Sequence, residues 1–581
     1  MENTEIARIF TEIADLLEIR GENPFRVRSY RNAGLIIEGL PVSLESIVER
    51  DESSLEDIPG IGKSIHEKIV EILKTGKCRF HQELLKEVSP GLLEVLKISG
   101  IGPKKVKLLA DRLGIRSVDD LEKAAREHRL HELPGMGERS EQKILKAVEG
   151  YKTLRIASRR FRLSVAYPYA RNYVEYLRAV PGTIDIEVAG SLRRWKDTIG
   201  DVDILVTCRK GADVMKRFIE YPDVREVVAR GETKSTVILK VGLQVDLRVL
   251  DKKSFGAALQ YFTGSKSHNI AVRDRARRMG LKVSEYGVFD ERTGRRVAGE
   301  KEEDVYRAVG LEWMAPELRE NRGEIEAAES GRLPVLVEER DIKGDLHVHT
   351  TESDGANTLE EMVEAAIERG YEYIAVTDHS KAVGIAHGLD EKRLLKQIED
   401  IDRLNERLKD SGKRFRVLKG TEVDIRADGT LDLSPDILKR LDCVVAAVHS
   451  GFNMTGRKMT ERIVKALGTG LVNILAHPTG RLIGTREPYE VDMEKVMSAA
   501  KKYGVFMELN SYPERLDLND SYCMLARDKG ILVSIATDSH GSLHLDHVIY
   551  GIHTARRGWL EKKDVLNTRP LSELLKLLRR S

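Results

Sequence analysis

From residue 344 onward, short apolar runs alternate with helical stretches, and this pattern limits the fold more tightly than any other in the chain. The runs are Asp345–Thr350, Tyr373–His379, Phe415–Ile425, Cys443–Ser450, Val472–Pro478, Val505–Asn510 and Ile531–His540. Near-continuous apolar strands separated by helices are buried on both faces, which is the signature of a parallel sheet. Seven alternations predict a multidomain protein of mixed α+β and α/β class that ends in a parallel α/β barrel. In such barrels the strand C-terminal ends form the active face. Ten of the fifteen histidines lie between 347 and 553. His347, His349, His379, His449, His477, Asp538 and His540 sit at strand ends. Glu422 ends the third strand, and Asp354 follows the first. One histidine at a strand end is usually structural, but nine N/O donors converging on one bowl fit Zn²⁺, Mn²⁺ or Fe²⁺. His387, His544, His547 and His553 lack that setting and read as surface or core residues.

The first part of the chain is a string of short amphipathic helices broken by a repeated phrase. It reads Ile58-Pro59-Gly60-Ile61-Gly62, Ile98-Ser99-Gly100-Ile101-Gly102 and Leu133-Pro134-Gly135-Met136-Gly137. A helix–x-Gly-x-Gly–helix turn lets one backbone approach another closely. It also aims free amides at a phosphate without reading the base. Gly60, Gly62, Gly100, Gly102, Gly135 and Gly137 are therefore candidate DNA contacts. The basic stretch Arg155–Arg162 adds a candidate backbone contact.

Between about 185 and 310 the pattern is rich in strands. Asp201 and Asp203 are two apart in Gly200-Asp201-Val202-Asp203-Ile204, so they share one strand face. Asp246 sits in a later apolar strand between Val245 and Leu247. Three carboxylates on adjacent strands repel unless a cation lies among them. Two Mg²⁺ or Mn²⁺ ions would neutralise them and clamp an in-line phosphoryl displacement. Gly190-Ser191 and Arg194 upstream offer amides, a hydroxyl and a fork-shaped cation for phosphate oxygens.

The palm phrase resembles the nucleotidyltransferase palm of family X DNA polymerases, the family of DNA polymerase beta. Tyr261-Phe262-Thr263-Gly264-Ser265, Asn269, Arg273 and Glu285-Tyr286-Gly287 follow in that family's order. The resemblance implies that Asp201 and Asp203 hold both metals, while Asp246 is the third ligand beside the primer 3′-hydroxyl. Ser191, Arg194 and Gly200 would bind the incoming nucleotide's triphosphate, Tyr261 and Phe262 would line its sugar, Asn269 would meet its base, and Gly264 would also belong to the nucleotide site. Arg273 would touch the template. The chain departs from the vertebrate pattern at Ile199 (serine there), Gln244 (arginine) and Lys266 (an acid). The repeated glycine phrase resembles the helix-hairpin-helix of DNA repair proteins. Lys68 stands at the position of a lyase lysine, with Phe25 and Arg26 where a His-Lys pair would stand.

The histidine-rich barrel resembles the polymerase-and-histidinol-phosphatase (PHP) metal-hydrolase family, with all nine ligand positions filled. By resemblance, His347, His349, Glu422 and Asp538 surround one metal. Glu422, His449 and His477 hold a second, and Asp354, His379 and His540 a third, with Mn²⁺ and/or Zn²⁺ expected. Arg481, Asn510 and Arg515 are candidate phosphate contacts.

These resemblances divide the chain into a lyase-like helical domain (1–85), a helix-hairpin-helix subdomain (86–150), a palm (151–250) and a nucleotide-selection subdomain (251–317). A linker (318–343) and a distorted (β/α)7 PHP barrel (344–581) follow. They imply a polymerase that fills short gaps with dNTPs on gapped or nicked duplex DNA. They also imply a 3′–5′ exonuclease, a 3′-end phosphatase and abasic-site nicking, all in DNA repair. The rival readings are a PHP phosphoesterase with an inert polymerase-like DNA-binding region and a non-enzymatic DNA-end scaffold.

Composition narrows the setting. Hydrophobic residues make up 41% and charged residues 33%, which excludes disordered and collagen-like chains. No apolar run reaches the roughly 18 residues of a membrane span, and the four widely spaced cysteines exclude a disulfide scaffold. A cytoplasmic monomer without membrane contact is expected. The net charge of +2 says nothing of nucleic acid.

Overall fold

A computed structural model describes residues 3–579 apart from 39–43, 45–46, 49–50, 57, 59, 97, 99–100, 132, 134–135, 138–139, 143, 146 and 149–159. The chain forms two compact units, Met1–Arg159 and Arg160–Ser581. Among the described residues no helix is long and apolar enough to cross a membrane.

The first unit is helical. In Asn3–Arg20, Ile6, Phe10, Ile13 and Leu17 recur at helical spacing and are fully buried, so a single face makes the core. The glycine phrase folds the same way each time. Ile61, Ile101 and Met136 donate their N–H groups to the carbonyls of Ile58, Ile98 and Leu133 at 2.9, 3.0 and 3.0 Å. Gly62 and Gly102 then cap the helices Lys63–Thr75 and Pro103–Leu113 in matching extended conformations, without a side-chain cap. Gly100, Gly135 and most of the basic stretch (Arg155 to Arg159) lie outside the described residues.

The second unit holds two large sheets. The first comprises β1 (Thr183–Val188), β2 (Asp201–Cys208), β3 (Val224–Arg230), β4 (Lys234–Leu239) and β5 (Gln244–Val249), in spatial order β1-β2-β5-β4-β3. On β2, Val202, Ile204 and Val206 are fully buried beneath the helix Leu163–Arg178, so the period of two turns Asp201 and Asp203 to the opposite face. Helices Phe255–Thr263 and Lys266–Arg278 and a small three-stranded sheet (281–298) follow.

The second large sheet comprises β6 (Gly344–Val348), β7 (Tyr373–Val376), β8 (Arg416–Asp424), β9 (Cys443–Ala447), β10 (Ile474–Leu475), β11 (Phe506–Asn510) and β12 (Val533–Ala536). They pair in parallel and in chain order. Past the last strand, the His349 N–H donates to the Ser539 carbonyl at 2.8 Å and nearly closes the barrel.

Residues 318–343, expected as a linker, pack instead. Arg319 is fully buried, with its guanidinium on Glu302 (2.5 Å) and the Met314 carbonyl (2.7 Å). Glu324 is fully buried against His268 at 2.7 Å. Buried charges survive when each meets a partner. Two of the segment's charges are thus turned inward, while Glu326, Glu329, Arg332, Glu338, Glu339 and Arg340 stay exposed.

Candidate functional site

The palm acids meet through strand register. β2 and β5 pair in parallel with Asp203 opposite Asp246 and Asp201 opposite Gln244, which brings all three carboxylates to one face of the sheet. Lys234 Nζ lies 2.8 Å from Asp246 Oδ2, and Gln244 Nε2 donates to Asp246 Oδ1 at 3.3 Å. Burial, then Asp201 and Asp246, push the Asp203 carboxyl up to about 7. Burial and Asp246 raise Asp201 as well. Gly190 sits at φ +65°, where an added Cβ would meet Asp203 Oδ2 at 2.8 Å. A divalent cation fits this donor set, because it is all hard oxygen and its members disfavour one another's charge.

The nucleotide-contact candidates divide. Ser191 and Gly200 flank the acids in sequence and are partly exposed. Tyr261 and Phe262 meet edge-on with ring centroids 5.2 Å apart. Arg194 is occupied: its Nε donates to Glu320 Oε1 at 3.1 Å and its Nη1 to the Thr263 carbonyl beside Gly264. Asn269 is also occupied, with its amide N–H on the Tyr261 carbonyl (2.7 Å) and its oxygen taking a bond from Gln260 (2.8 Å). Arg273 Nε donates to the Asn269 carbonyl at 3.2 Å. In the first unit, Lys68 donates to the Ser64 carbonyl and hydroxyl, both at 3.2 Å, and lies over the Phe80 ring.

In the barrel the strand-end residues converge. His349, Asp354, His379 and His540 bring ligand atoms within 4.8 Å of one another, as do His347, His349 and Glu422, and also His379, Glu422 and His449. His477 Nε2 lies 2.9 Å from Glu422 Oε1, and His349 Nε2 lies 3.2 Å from Asp538 Oδ1. His347 Nε2, both ring nitrogens of His349, His379 Nδ1, Glu422 Oε2 and His477 Nδ1 are buried without a hydrogen-bond partner. Orphaned donors aimed at a shared centre fit metal ions. His477 and Asp538 hold left-handed backbone, φ +26° and +52°, a strain that clusters at functional sites.

The electrostatics point the same way. Burial alone would raise the Glu422 carboxyl, but His379, His449 and His347 outweigh it and hold it well below the usual range. Burial opposes charge on His449 and His540, yet the carboxylates Glu422 and Asp424, and Asp354 and Asp538, push them up to about 9. Carboxylates that favour positive charge this strongly suit a metal cation.

A second layer that sequence reasoning missed orients the ligands. His347 Nδ1 donates to Glu508 Oε1 at 2.6 Å, and the His477 N–H donates to Glu508 Oε2 at 2.7 Å. His449 Nδ1 lies 3.2 Å from Asp424 Oδ1. Glu508 shares a face of β11 with Asn510, and Asp424 follows Glu422 by two; that period was the available signal. Lys234 was missed too. Of the phosphate-contact candidates, Asn510 Nδ2 is spent on Asp538 (3.0 Å), and Arg481 on the Arg515 and Leu516 carbonyls and Asp197 (3.2 Å). Arg515 stays partly exposed, 3.5 Å from Asp538.

The palm loop that carries Ser191 and Arg194 rests on the barrel. The Trp195 ring stacks on His553 at 3.5 Å and 4°. Buried Arg557 donates to the Arg194 carbonyl (2.7 Å), Glu320 (3.0 Å) and Asp520 (2.6 Å).

Comparison with known proteins finds matches along most of the chain. Family models match as helix-hairpin-helix domain (1–78), SAM-like helix-hairpin-helix tandem (92–149), DNA polymerase beta palm (170–286), DNA polymerase beta thumb (258–320) and PHP domain (345–512). The chain is 39% identical over 584 residues to the DNA polymerase/3′-5′ exonuclease PolX of Bacillus subtilis (strain 168), covering 100% of each chain. It is 30% identical over 236 residues to a protein named "Probable phosphatase" from Thermoanaerobacter sp. (strain X514), covering 39% of this chain and 89% of that one. A "Probable phosphatase" of Acetivibrio thermocellus is 31% identical over 210 residues, 35% of this chain and 80% of its own. With the full-length match joined to a palm whose acids meet in register and a barrel whose strand ends meet in one cluster, the chain belongs to the family X DNA polymerases that carry helix-hairpin-helix domains and a C-terminal PHP domain.

Proposed function

We propose that this protein is a template-directed, gap-filling DNA polymerase whose PHP barrel is a metal-dependent 3′–5′ exonuclease and 3′-end phosphatase acting in DNA repair. The observation that carries the reading is the parallel register of Asp203 with Asp246, with Asp201 two residues away. Mg²⁺ or Mn²⁺ bound by these three acids would supply charge neutralisation and alignment for in-line displacement. Lys234 and Gln244 fix the Asp246 carboxylate, so that its remaining lone pairs are left for that role. In the barrel, Mn²⁺ or Zn²⁺ held by the nine strand-end ligands would supply Lewis acidity. Glu508 and Asp424 hold His347 and His449 in fixed ring orientation. Arg515 is the open cation at the rim for a substrate phosphate.

DNA binding by the first unit is supported by its open glycines. Among the described residues a Cβ on Gly62, Gly102 or Gly137 would meet nothing within 4 Å, so their packing does not demand glycine there. Close approach of a phosphate backbone does. The test is a one-nucleotide gapped duplex assayed with and without dNTPs. Asp201→Ala should lose extension and keep 3′ digestion, and His347→Ala should do the reverse. Extension by Asp201→Ala would refute the palm assignment, and joint loss in either variant would refute two separate sites.

A further inference from the structure

A row of half-buried rings runs away from the barrel cluster. The His540 N–H donates to His544 Nδ1 at 3.3 Å. The His544 and His547 rings lie 17° apart in angle with centroids 5.0 Å apart. Tyr512 meets both edge-on, at 5.9 and 5.5 Å. Leu543, just before His544 in the chain, is 75% exposed. His547 Nδ1 is buried without a hydrogen-bond partner. Apart from His540, none of these residues belongs to the ligand set.

Tyr512 is held in place from the metal site. Its N–H donates to Asn510 Oδ1 (3.0 Å), and the Asn510 amide donates to Asp538 (3.0 Å). The Tyr512 carbonyl accepts the Arg515 N–H at 2.7 Å, so one turn presents a ring and a guanidinium at the same rim.

We propose that Tyr512, flanked by His544 and His547, is a stacking subsite for the unpaired 3′-terminal base of the strand the barrel digests. The proposal rests on the exonuclease reading of the barrel. A terminal base that is still paired keeps its face on its neighbour, so only a base that has left the stack can lie on the ring. Stacking suits an exonuclease because every base has a π-face and none is read by sequence. Arg515 then meets the adjoining phosphate beside Asp538.

The test uses the full-length, Mn²⁺-loaded protein and two duplexes that differ only in their unpaired 3′ residue, one thymidine and one tetrahydrofuran abasic residue. The readout is the ratio of kcat/KM for the two. Stacking on one ring is worth about 1–3 kcal/mol, so the wild-type ratio should be roughly 5- to 150-fold in favour of thymidine. Tyr512→Phe should keep the ratio, and Tyr512→Ala and Tyr512→Leu should bring it close to one. A wild-type ratio near one overturns the proposal without any variant. So does a ratio unchanged in Tyr512→Ala, or a ratio lost equally in Tyr512→Phe. If the wild type cuts neither duplex while extending primers, the exonuclease reading falls and the subsite falls with it.

Discussion

The palm acids make a prediction in which stability and chemistry move in opposite directions. Asp203 is held at about 7 in the folded chain against 3.8 in its ordinary state. An acid whose folded value is raised binds its proton more tightly when folded. The fold therefore loses stability as pH rises from 3.8 through 7. At about 1.4 kcal/mol per unit, the full loss is about 4 kcal/mol. About 2.5 kcal/mol of it falls between pH 5 and 8. Asp203→Asn removes the titrating group, and among the described residues the Asp203 side chain has no hydrogen bond that the amide would lose. In EDTA at pH 8 the variant should be more stable than wild type, with a gap wider by about 2–3 kcal/mol than at pH 5. All three tryptophans (Trp195, Trp313 and Trp559) lie in the second unit, so urea unfolding followed by tryptophan fluorescence reads that unit alone. Mg²⁺ should narrow the gap by binding wild type, and the variant should not extend a primer. A variant no more stable than wild type at pH 8, or a gap equal at pH 5 and 8, would show that the carboxylates do not burden one another.

Two further predictions concern the supports of the sites. Glu508→Gln weakens the acceptor that fixes the His347 ring, and barrel metal affinity should fall about 10- to 100-fold in a chelator competition, with primer extension retained. At the palm–barrel junction, Glu317 and Glu320 are held down to about 2: burial opposes their charge, but His553 and Arg556, and Arg557, Lys196 and Arg194, outweigh it. Their contribution is present above about pH 4.5 and is lost as pH falls toward 2. Glu320→Gln should therefore lower stability at pH 7 and flatten the acid limb of the unfolding curve by about 3 kcal/mol.

Legibility follows the range of the interaction that sets each feature. The period of two in Asp201-Val202-Asp203 and the strand-end position of His347, His379, His449 and His477 are local, and the folded chain brings those residues to shared centres. Register between strands far apart in sequence is not local, yet Asp246 could be found because its apolar neighbours fix which face it takes. What escaped reading was partner choice. Arg194 and Asn269 have the right residue types for a nucleotide, but their polar atoms are committed to Glu320, Thr263, Tyr261 and Gln260. Segment 318–343 looks solvated because charge count carries no information on whether a partner waits inside. His553 looked idle for the same reason: its partner, Trp195, is more than 350 residues away in sequence.

That stack has a mechanical consequence. Trp195 takes a left-handed backbone, φ +54°, which a bulky residue adopts only under constraint. The constraint comes from the barrel side: His553 under the ring, Arg557 on the preceding carbonyl, and Arg481 on Asp197 two residues on. Arg481 also binds the Arg515 and Leu516 carbonyls, and Arg515 lies against the metal ligand Asp538. The loop that begins with the palm's Gly190 and Ser191 is therefore anchored through a chain of close contacts that ends at the barrel cluster. A palm cut away from its barrel would lose every one of these anchors, so its loop geometry belongs to the joined unit and not to the palm sheet alone.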